Sequence, residues 1–211
     1  PLTTQPVVKP YLKEKYPACT IGVACLSTYH SIFNNHPHVS KLHPHIIPFD
    51  EFEKYDYHIL FEGLIENNKE AEIINAYDLF INKFGIAIDA ITDKNPIMNV
   101  SDKVVDFWKY VLKEHMSSDK KIGYQWRASS SIRTLPPELN AKIIQALVEK
   151  GYTVFLIDSV LRKNQADEFL QQYHLQDKVV PAYRYSDNFE RMAGLIKCMD
   201  MYVGPDSSGT H

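Results

Sequence analysis

Several absences narrow the reading of this 211-residue chain before any motif is considered. Three cysteines, Cys19, Cys25 and Cys198, contain no C-x-x-C pair and cannot all pair within one chain. Neither a disulfide framework nor a zinc ribbon is therefore suggested, and a reducing cytoplasm is the expected compartment. No apolar run approaches the ~18 residues of a spanning helix, and no basic-then-apolar leader opens the sequence. Membrane contact is expected to be peripheral at most, at the inner face of the cytoplasmic membrane if anywhere. Basic charge is not in excess: 23 Lys and Arg stand against 26 Asp and Glu, a net charge of -3. Nucleic acid is thereby set aside as a partner, because nonspecific binding to it normally needs a basic surplus or stripe. Short-period repeats and low-complexity tracts are also missing. The chain has no initiator Met, begins Pro1-Leu2-Thr3-Thr4 and stops at His211, so both ends read as cut and the chain as part of a longer product.

What is present is a globular composition, 45% hydrophobic, enough for one large domain or two small ones. In the first half, spacing predicts a helix over 6–16, a buried strand over 20–26, short strands over 45–49 and 57–61, and an amphipathic helix over 69–84 stopped by Gly85. Residues 89–100 read as a connection with a short strand at 97–100. Ser101 is expected to cap a helix running to about 114. The second half alternates more regularly. Strands are expected over 121–126, 153–158, 179–182 and 201–203, with helices over 137–150, 165–173 and 188–198. Alternation of this kind implies parallel βαβ units. The expected division is a first domain over 1–95, a linker helix and hinge over 96–118, and a second domain over 119–211.

Ligands of parallel sheets sit beyond the carboxyl ends of the strands. Two such strand ends carry suggestive chemistry. The run Asp206, Ser207, Ser208, Gly209, Thr210, His211 follows a strand and Gly204-Pro205, the composition of a turn whose backbone N–H groups and following helix dipole favour an anion. An ordinary Asx turn or helix cap has the same composition. After the strand at 121–126 comes a loop holding Arg127, Ser129, Ser130, Ser131 and Arg133. Guanidinium forks and hydroxyls suit a diphosphate, and Gln125, Trp126 and Arg127 are further candidate contacts.

These runs resemble glycosyltransferase family 9, the ADP-heptose:lipopolysaccharide heptosyltransferase group. SDNFERMAGLIKCMDMYVGPDSSGTH, residues 186–211, is similar to the family's nucleotide-sugar site, in which a helix x-x-E-x-A-x-L-I precedes a strand D-L-V-V-G and then D-S/T-G/S-x-x-H. Asp206, Ser207 and His211 match in place, whereas Ser208 stands where Gly is common and Gly209 follows one position later. GYQWRASSSIRTLP, residues 123–136, resembles the family's strand-loop leading to a basic residue, here Arg133. LTTQPVV and KEKYP near the start look like the first helix of the acceptor domain, L-T-T-P-V-I-x-A-L-K-x-x-Y-P, which brings in Thr3 and Thr4.

The resemblance implies an α/β chain of the GT-B type, two Rossmann-like domains with parallel sheets, incomplete at both termini. It implies an inverting, metal-independent transfer of a sugar, heptose by analogy, from an ADP-linked donor to a lipopolysaccharide or other glycan acceptor. Donor diphosphate contacts would be Ser129, Ser130, Arg133, Asp206, Ser207, Ser208, Gly209 and His211. No cofactor is implied, since the nucleotide sugar is a substrate. The family's general-base Asp lies upstream of the L-T-T-P helix and so upstream of Pro1, leaving the catalytic base of this chain unassigned. A non-catalytic nucleotide-sugar-binding protein and a nucleotide-sugar epimerase of similar architecture are the alternative readings.

Other features are given weaker roles. His30, His36, His38, His43 and His45 are read as a polar loop rather than a metal site, since prolines interrupt them and no Cys completes a set. Phe49, Phe52, Tyr55, Tyr57 and Phe61 are expected to pack beside a strand. Trp108 is expected in the core, while Trp126 serves equally as core or as a stacking platform. Asp158, at a strand end, is a candidate ribose contact.

Overall fold

Every residue of the strand Thr153–Ile157 is buried, and around it the second half of this computed structural model is built. The structure describes residues 4–34, 36–69, 73–91, 98–207 and 209. Two units separate in it, Pro1–Asn99 and Val100–His211.

In the first unit, helix α1 (Thr4–Lys15) carries Pro10 in its interior. Strand β1 (Gly22–Ala24) pairs in parallel with β2 (Lys41–His43), with the short helix α2 (His30–Phe33) between them. Two expected strands are corrected. The strand expected over 45–49 is instead β2, a few residues earlier, and Phe49–Phe52 forms a helical turn, α3. Pro44 and Pro48 bracket the segment, and a residue without an N–H cannot continue a ladder. Residues 57–61 adopt no regular structure; Tyr57 and Leu60 are exposed, so the half-buried pleated surface that favours such residues is missing.

The helix expected over 69–84 is shorter, α4 (Ala76–Lys83). Asn75 caps it by accepting from Tyr77 N at 2.9 Å, which satisfies one of the orphan donors of the first turn. Ile73 lies before the cap and is exposed, and residues 70–72 lie outside the described residues. Gly85 ends the helix at φ 69°, a left-handed value open to glycine. Ile81, Ile86 and Ile91 form the small core here, with Tyr11 and Phe84 against it. The strand expected over 97–100 is not formed at 98–100, and Ile97 is outside the described residues.

The second unit contains helix α5 (Asp102–His115), β3 (Lys121–Gln125), α6 (Pro137–Glu149), β4 (Thr153–Ile157), α7 (Lys163–Gln172), β5 (Val179–Val180), α8 (Phe189–Lys197) and β6 (Met201–Val203). The strands lie in the order β5-β4-β3-β6, all parallel. Alternate β4 residues serve two cores. Val154 and Leu156 pack with Tyr124, Ile144 from α6 and Phe169 from α7. Phe155 and Ile157 pack with Trp108 and Leu112 from α5 and Leu195 from α8. A parallel sheet covered on both faces needs apolar side chains on both, and β4 supplies them. Helix α5, which reads in the sequence as part of a linker, packs on α8 within this unit, and Trp108 is fully buried with its Nε1 donating to the Arg191 carbonyl at 2.6 Å.

The order places a topological switch at β3. From β3 the chain moves outward through β4 to β5, then returns to the other side of β3 as β6. In open α/β sheets the crevice at such a reversal is where ligands bind. The loops at residues 126–136 and 204–209 leave the carboxyl ends of the two strands that flank this switch.

Candidate functional site

The loop after β3 is fixed by its own side chains. Thr134 Oγ1 accepts from Ala128 N at 3.1 Å and donates to the Ser130 carbonyl at 2.8 Å, closing residues 128–134 on themselves. At its exit, Asn140 Nδ2 donates to the Leu135 carbonyl at 2.9 Å, and Asn140 Oδ1 accepts from the buried Tyr124 hydroxyl at 2.7 Å. Burial pushes the Tyr124 phenol up to about 12, so it remains a donor at neutral pH. Within the loop, Ser131–Arg133 forms a single 3-10 turn that carries Arg133 outward.

Arg133 joins the two strand ends. Its Nη1 donates to the Asp206 carbonyl at 2.7 Å and lies 3.6 Å from Asp206 Oδ2, and its Nη2 donates to Ser129 Oγ at 3.3 Å. Register brings them together: Tyr124 pairs with Val203, so the segments beyond both strands emerge side by side. Ser129, Arg133 and Asp206 thus converge, with Ser130 forming the base of the loop through its carbonyl. Ser207 and Gly209 belong to the same turn; Ser208, Thr210, His211 and Thr3 lie outside the described residues, and Thr4 begins α1.

Behind this surface lies a buried cluster. Asp158, 9% exposed, accepts from Trp126 Nε1 at 2.8 Å and Arg127 Nε at 2.9 Å through Oδ2, and from Ser159 N at 2.7 Å through Oδ1. Trp126 stacks on Phe169 with centroids 4.3 Å apart, and the Arg127 guanidinium lies 4.6 Å from the indole centroid. The indole is therefore core, and no face of it is open for a base to stack on. Asp158 is likewise engaged by protein donors rather than presented to a ribose. Gln125 is also committed internally: Oε1 accepts from the Tyr202 hydroxyl at 2.6 Å and Nε2 donates to the Arg127 carbonyl at 2.9 Å.

Two polar atoms in these loops are buried without a partner among the described residues, Arg127 Nη2 and Ser207 Oγ. A buried unsatisfied donor costs about 1–3 kcal/mol, and a ligand oxygen would relieve it. Thr134, Asn140 and Tyr202 had no role in the sequence reading. A hydroxyl in a loop, an amide near a helix start and a tyrosine in a strand carry no local signal of partners far along the chain.

Of the histidines read as a polar loop, His30, His36 and His43 are held within the first unit, whereas His45 is exposed. His43 and His36 are buried, and His43 Nε2 and the Tyr55 hydroxyl share a hydrogen bond of 2.7 Å. His30 Nε2 faces the carbonyls of Cys25 and His43 at 3.2 and 3.1 Å; carbonyls only accept, so this nitrogen carries the proton. Among the described residues no three His, Cys, Asp or Glu side chains group to hold a metal. The aromatic cluster does not all pack as expected: Phe61 contacts Phe80 and Phe84, but Phe49 and Tyr57 are 72% and 89% exposed. Among the described residues no helix is long and apolar enough to cross a membrane.

No family model and no curated protein matches the sequence. Solved structures match it in fold. ADP-heptose lipopolysaccharide heptosyltransferase II of E. coli superposes with a TM-score of 0.70 at 16% identity, over 99% of this chain and 76% of that one. A family 9 glycosyl transferase of Veillonella parvula gives 0.66 at 12% identity, over 100% and 73%. The fold is that of the family 9 glycosyltransferases. E. coli heptosyltransferase WaaC, solved with ADP, gives 0.55 at 12% identity over 99% and 78%. At such identities the likeness is one of GT-B-type fold, and the chemistry of this chain rests on its own residues.

Proposed function

We propose that the protein is an inverting glycosyltransferase that takes a sugar, heptose, from an ADP-linked donor and passes it to a lipopolysaccharide or other glycan acceptor. The observation that carries this reading is the meeting of Arg133, Ser129 and the Asp206 turn at the β3/β6 switch. It supports an anionic ligand at the place where this fold class binds nucleotides. Structural neighbours solved with ADP and with ADP-2-deoxy-2-fluoro heptose support the choice of nucleotide and sugar.

In this mechanism an acceptor hydroxyl oxygen attacks the anomeric carbon as its bond to the diphosphate oxygen breaks, and a carboxylate takes the hydroxyl proton. Nucleoside diphosphate leaves with the bonding electron pair. Arg133, the Ser129 hydroxyl and the backbone N–H groups of Asp206, Ser207 and Gly209 stabilise charge growing on the leaving group, the role that oriented donors play best in a fixed site. These groups make a metal ion unnecessary for leaving-group stabilisation.

Thermal unfolding in the presence of ADP, UDP and GDP tests the reading. A ligand at 100 times its Kd adds about 2.7 kcal/mol to the native state, so ADP is expected to raise Tm by several degrees and the other two by less. Release of ADP from ADP-heptose on adding acceptor then tests transfer. The proposal fails if no nucleoside diphosphate changes Tm.

A further inference from the structure

We infer that Tyr202 and Gln125 are positioning residues that hold the 204–209 turn ready for a donor diphosphate, an inference that rests on the donor reading above. Pairing between β3 and β6 ends at Tyr124 and Val203, so no ladder fixes the turn that follows. Side chains take over at that point. The Tyr202 hydroxyl donates to Gln125 Oε1 at 2.6 Å, and Gln125 Nε2 donates to the Arg127 carbonyl at 2.9 Å. The chain of bonds ties β6 to the end of β3 and to the start of the phosphate loop.

Two glycines of the turn rest on this pair. A Cβ on Gly209 would lie 2.3 Å from the Tyr202 hydroxyl oxygen and 2.7 Å from Gln125 Oε1; one on Gly204 would lie 2.6 Å from the same hydroxyl and 3.0 Å from Gln125 Cβ. Gly204 has no positive φ, so it does not serve a left-handed backbone. What the site requires is the missing methyl. Gly204 and Gly209 both lie close against Tyr202, while Arg133 holds the Asp206 carbonyl between them in sequence. A half-buried hydrogen bond that served only the sheet edge would not need glycines packed against it. Backbone N–H groups that receive a phosphate act best when held in place before it arrives, and this arrangement holds them.

ADP is the probe, with binding measured by calorimetry on the purified chain and Tm recorded without ligand. Tyr202→Phe removes one neutral hydrogen bond and is expected to weaken ADP about fivefold, with ligand-free Tm lowered by no more than the loss of one such bond. Gly209→Ala is expected to weaken ADP more than that. Adding Tyr202→Phe to Gly209→Ala is expected to recover part of the loss, because the hydroxyl that the new methyl strikes is gone. A role confined to stability would lower Tm and leave the Kd for ADP as in wild type. Variants that bind ADP as wild type does, or losses that simply add in the double variant, overturn the positioning role and leave the donor reading intact. Wild-type protein that ignores ADP overturns the donor reading, and this inference with it.

Discussion

Arg133 Nη1 and the Asp206 carbonyl oxygen, 73 positions apart in the chain, are 2.7 Å apart in space. The guanidinium is anchored to one strand end by this bond and to the other through Ser129. Both groups of the Arg133–Asp206 pair are well exposed, at 43% and 66%, so the pair adds little to stability, about 0–1 kcal/mol. The proposed donor site therefore accounts for this pair better than a role in stability does.

Arg133→Ala is accordingly expected to raise the Kd for ADP about 10- to 100-fold, the loss of a charge-assisted contact, while ligand-free Tm changes little. Arg133→Lys should recover only part of the affinity, because an ammonium cannot span the Ser129 hydroxyl, the Asp206 carbonyl and a phosphate as a planar fork does. Calorimetry of both variants beside their melting curves checks this. Equal losses of Tm and affinity would point to a folding role instead.

Asp158 gives the opposite pattern. Its carboxylate joins Trp126, Arg127 and the Ser159 amide in the interior, with Asp158 and Arg127 side chains 5% and 14% exposed. Asp158→Ala leaves the guanidinium buried and unpaired and is expected to cost about 3–5 kcal/mol, read as a fall in the urea midpoint. Asp158→Asn keeps an acceptor oxygen of the same shape and should cost less. A midpoint unchanged in Asp158→Ala would show that water reaches Arg127.

The second unit was legible in the sequence because its periods are clean. Val154, Leu156, Phe155 and Ile157 form an unbroken apolar run between helical patterns, and that combination has few solutions besides a central parallel strand. The meeting of the loop after β3 with the turn after β6 also follows from alternation, since parallel strands deliver their loops to one edge. The first unit was less legible. Pro44 ends β2 after three residues and β1 is no longer, too short to show a period, and His43, His30 and Tyr55 are held by contacts that sequence spacing does not encode. The same limit hides Tyr202, whose partner Gln125 is 77 positions away, and leaves Trp126 ambiguous in sequence, since the Phe169 ring stacked on it is 43 positions along the chain.

Gly194 tests the packing of α5 on α8. A Cβ there would stand 2.5 Å from Val104 Cγ1, 3.1 Å from Trp108 Cδ1 and 3.3 Å from Val100 Cγ1. Alanine favours a helix over glycine by about 1 kcal/mol, but overpacking costs about 1–3 kcal/mol, and Val104 is stiff because it branches at Cβ. Strain is expected to win, so Gly194→Ala should lower stability by roughly 1 kcal/mol. Adding Val104→Ala should restore part of it, a coupling measurable in a double-mutant cycle. Strict additivity would mean that the helices separate enough to admit the methyl.

Glu51 provides a pH signature within the first unit. Lys41 and Lys54 both bond its carboxylate, Lys54 at 2.5 Å, and these two hydrogen bonds, Lys41 first, hold its pKa down to about 2 from an ordinary 4.5. The group lines an open recess of about 280 Å³ with Thr20, Ser40 and Tyr55. Because the folded value is the lower one, the stabilisation is complete above pH 4.5 and disappears as pH falls toward 2. The lysines are exposed, so salt should screen the effect. Carboxyl carbon NMR is expected to show the Glu51 midpoint near 2 at low salt, moving upward in Lys41→Ala and in high salt. Glu51→Gln should lower Tm slightly at pH 7, with the difference from wild type closing between pH 4.5 and 2. A midpoint at 4.5 in the folded protein would show that neither lysine holds the carboxylate in solution.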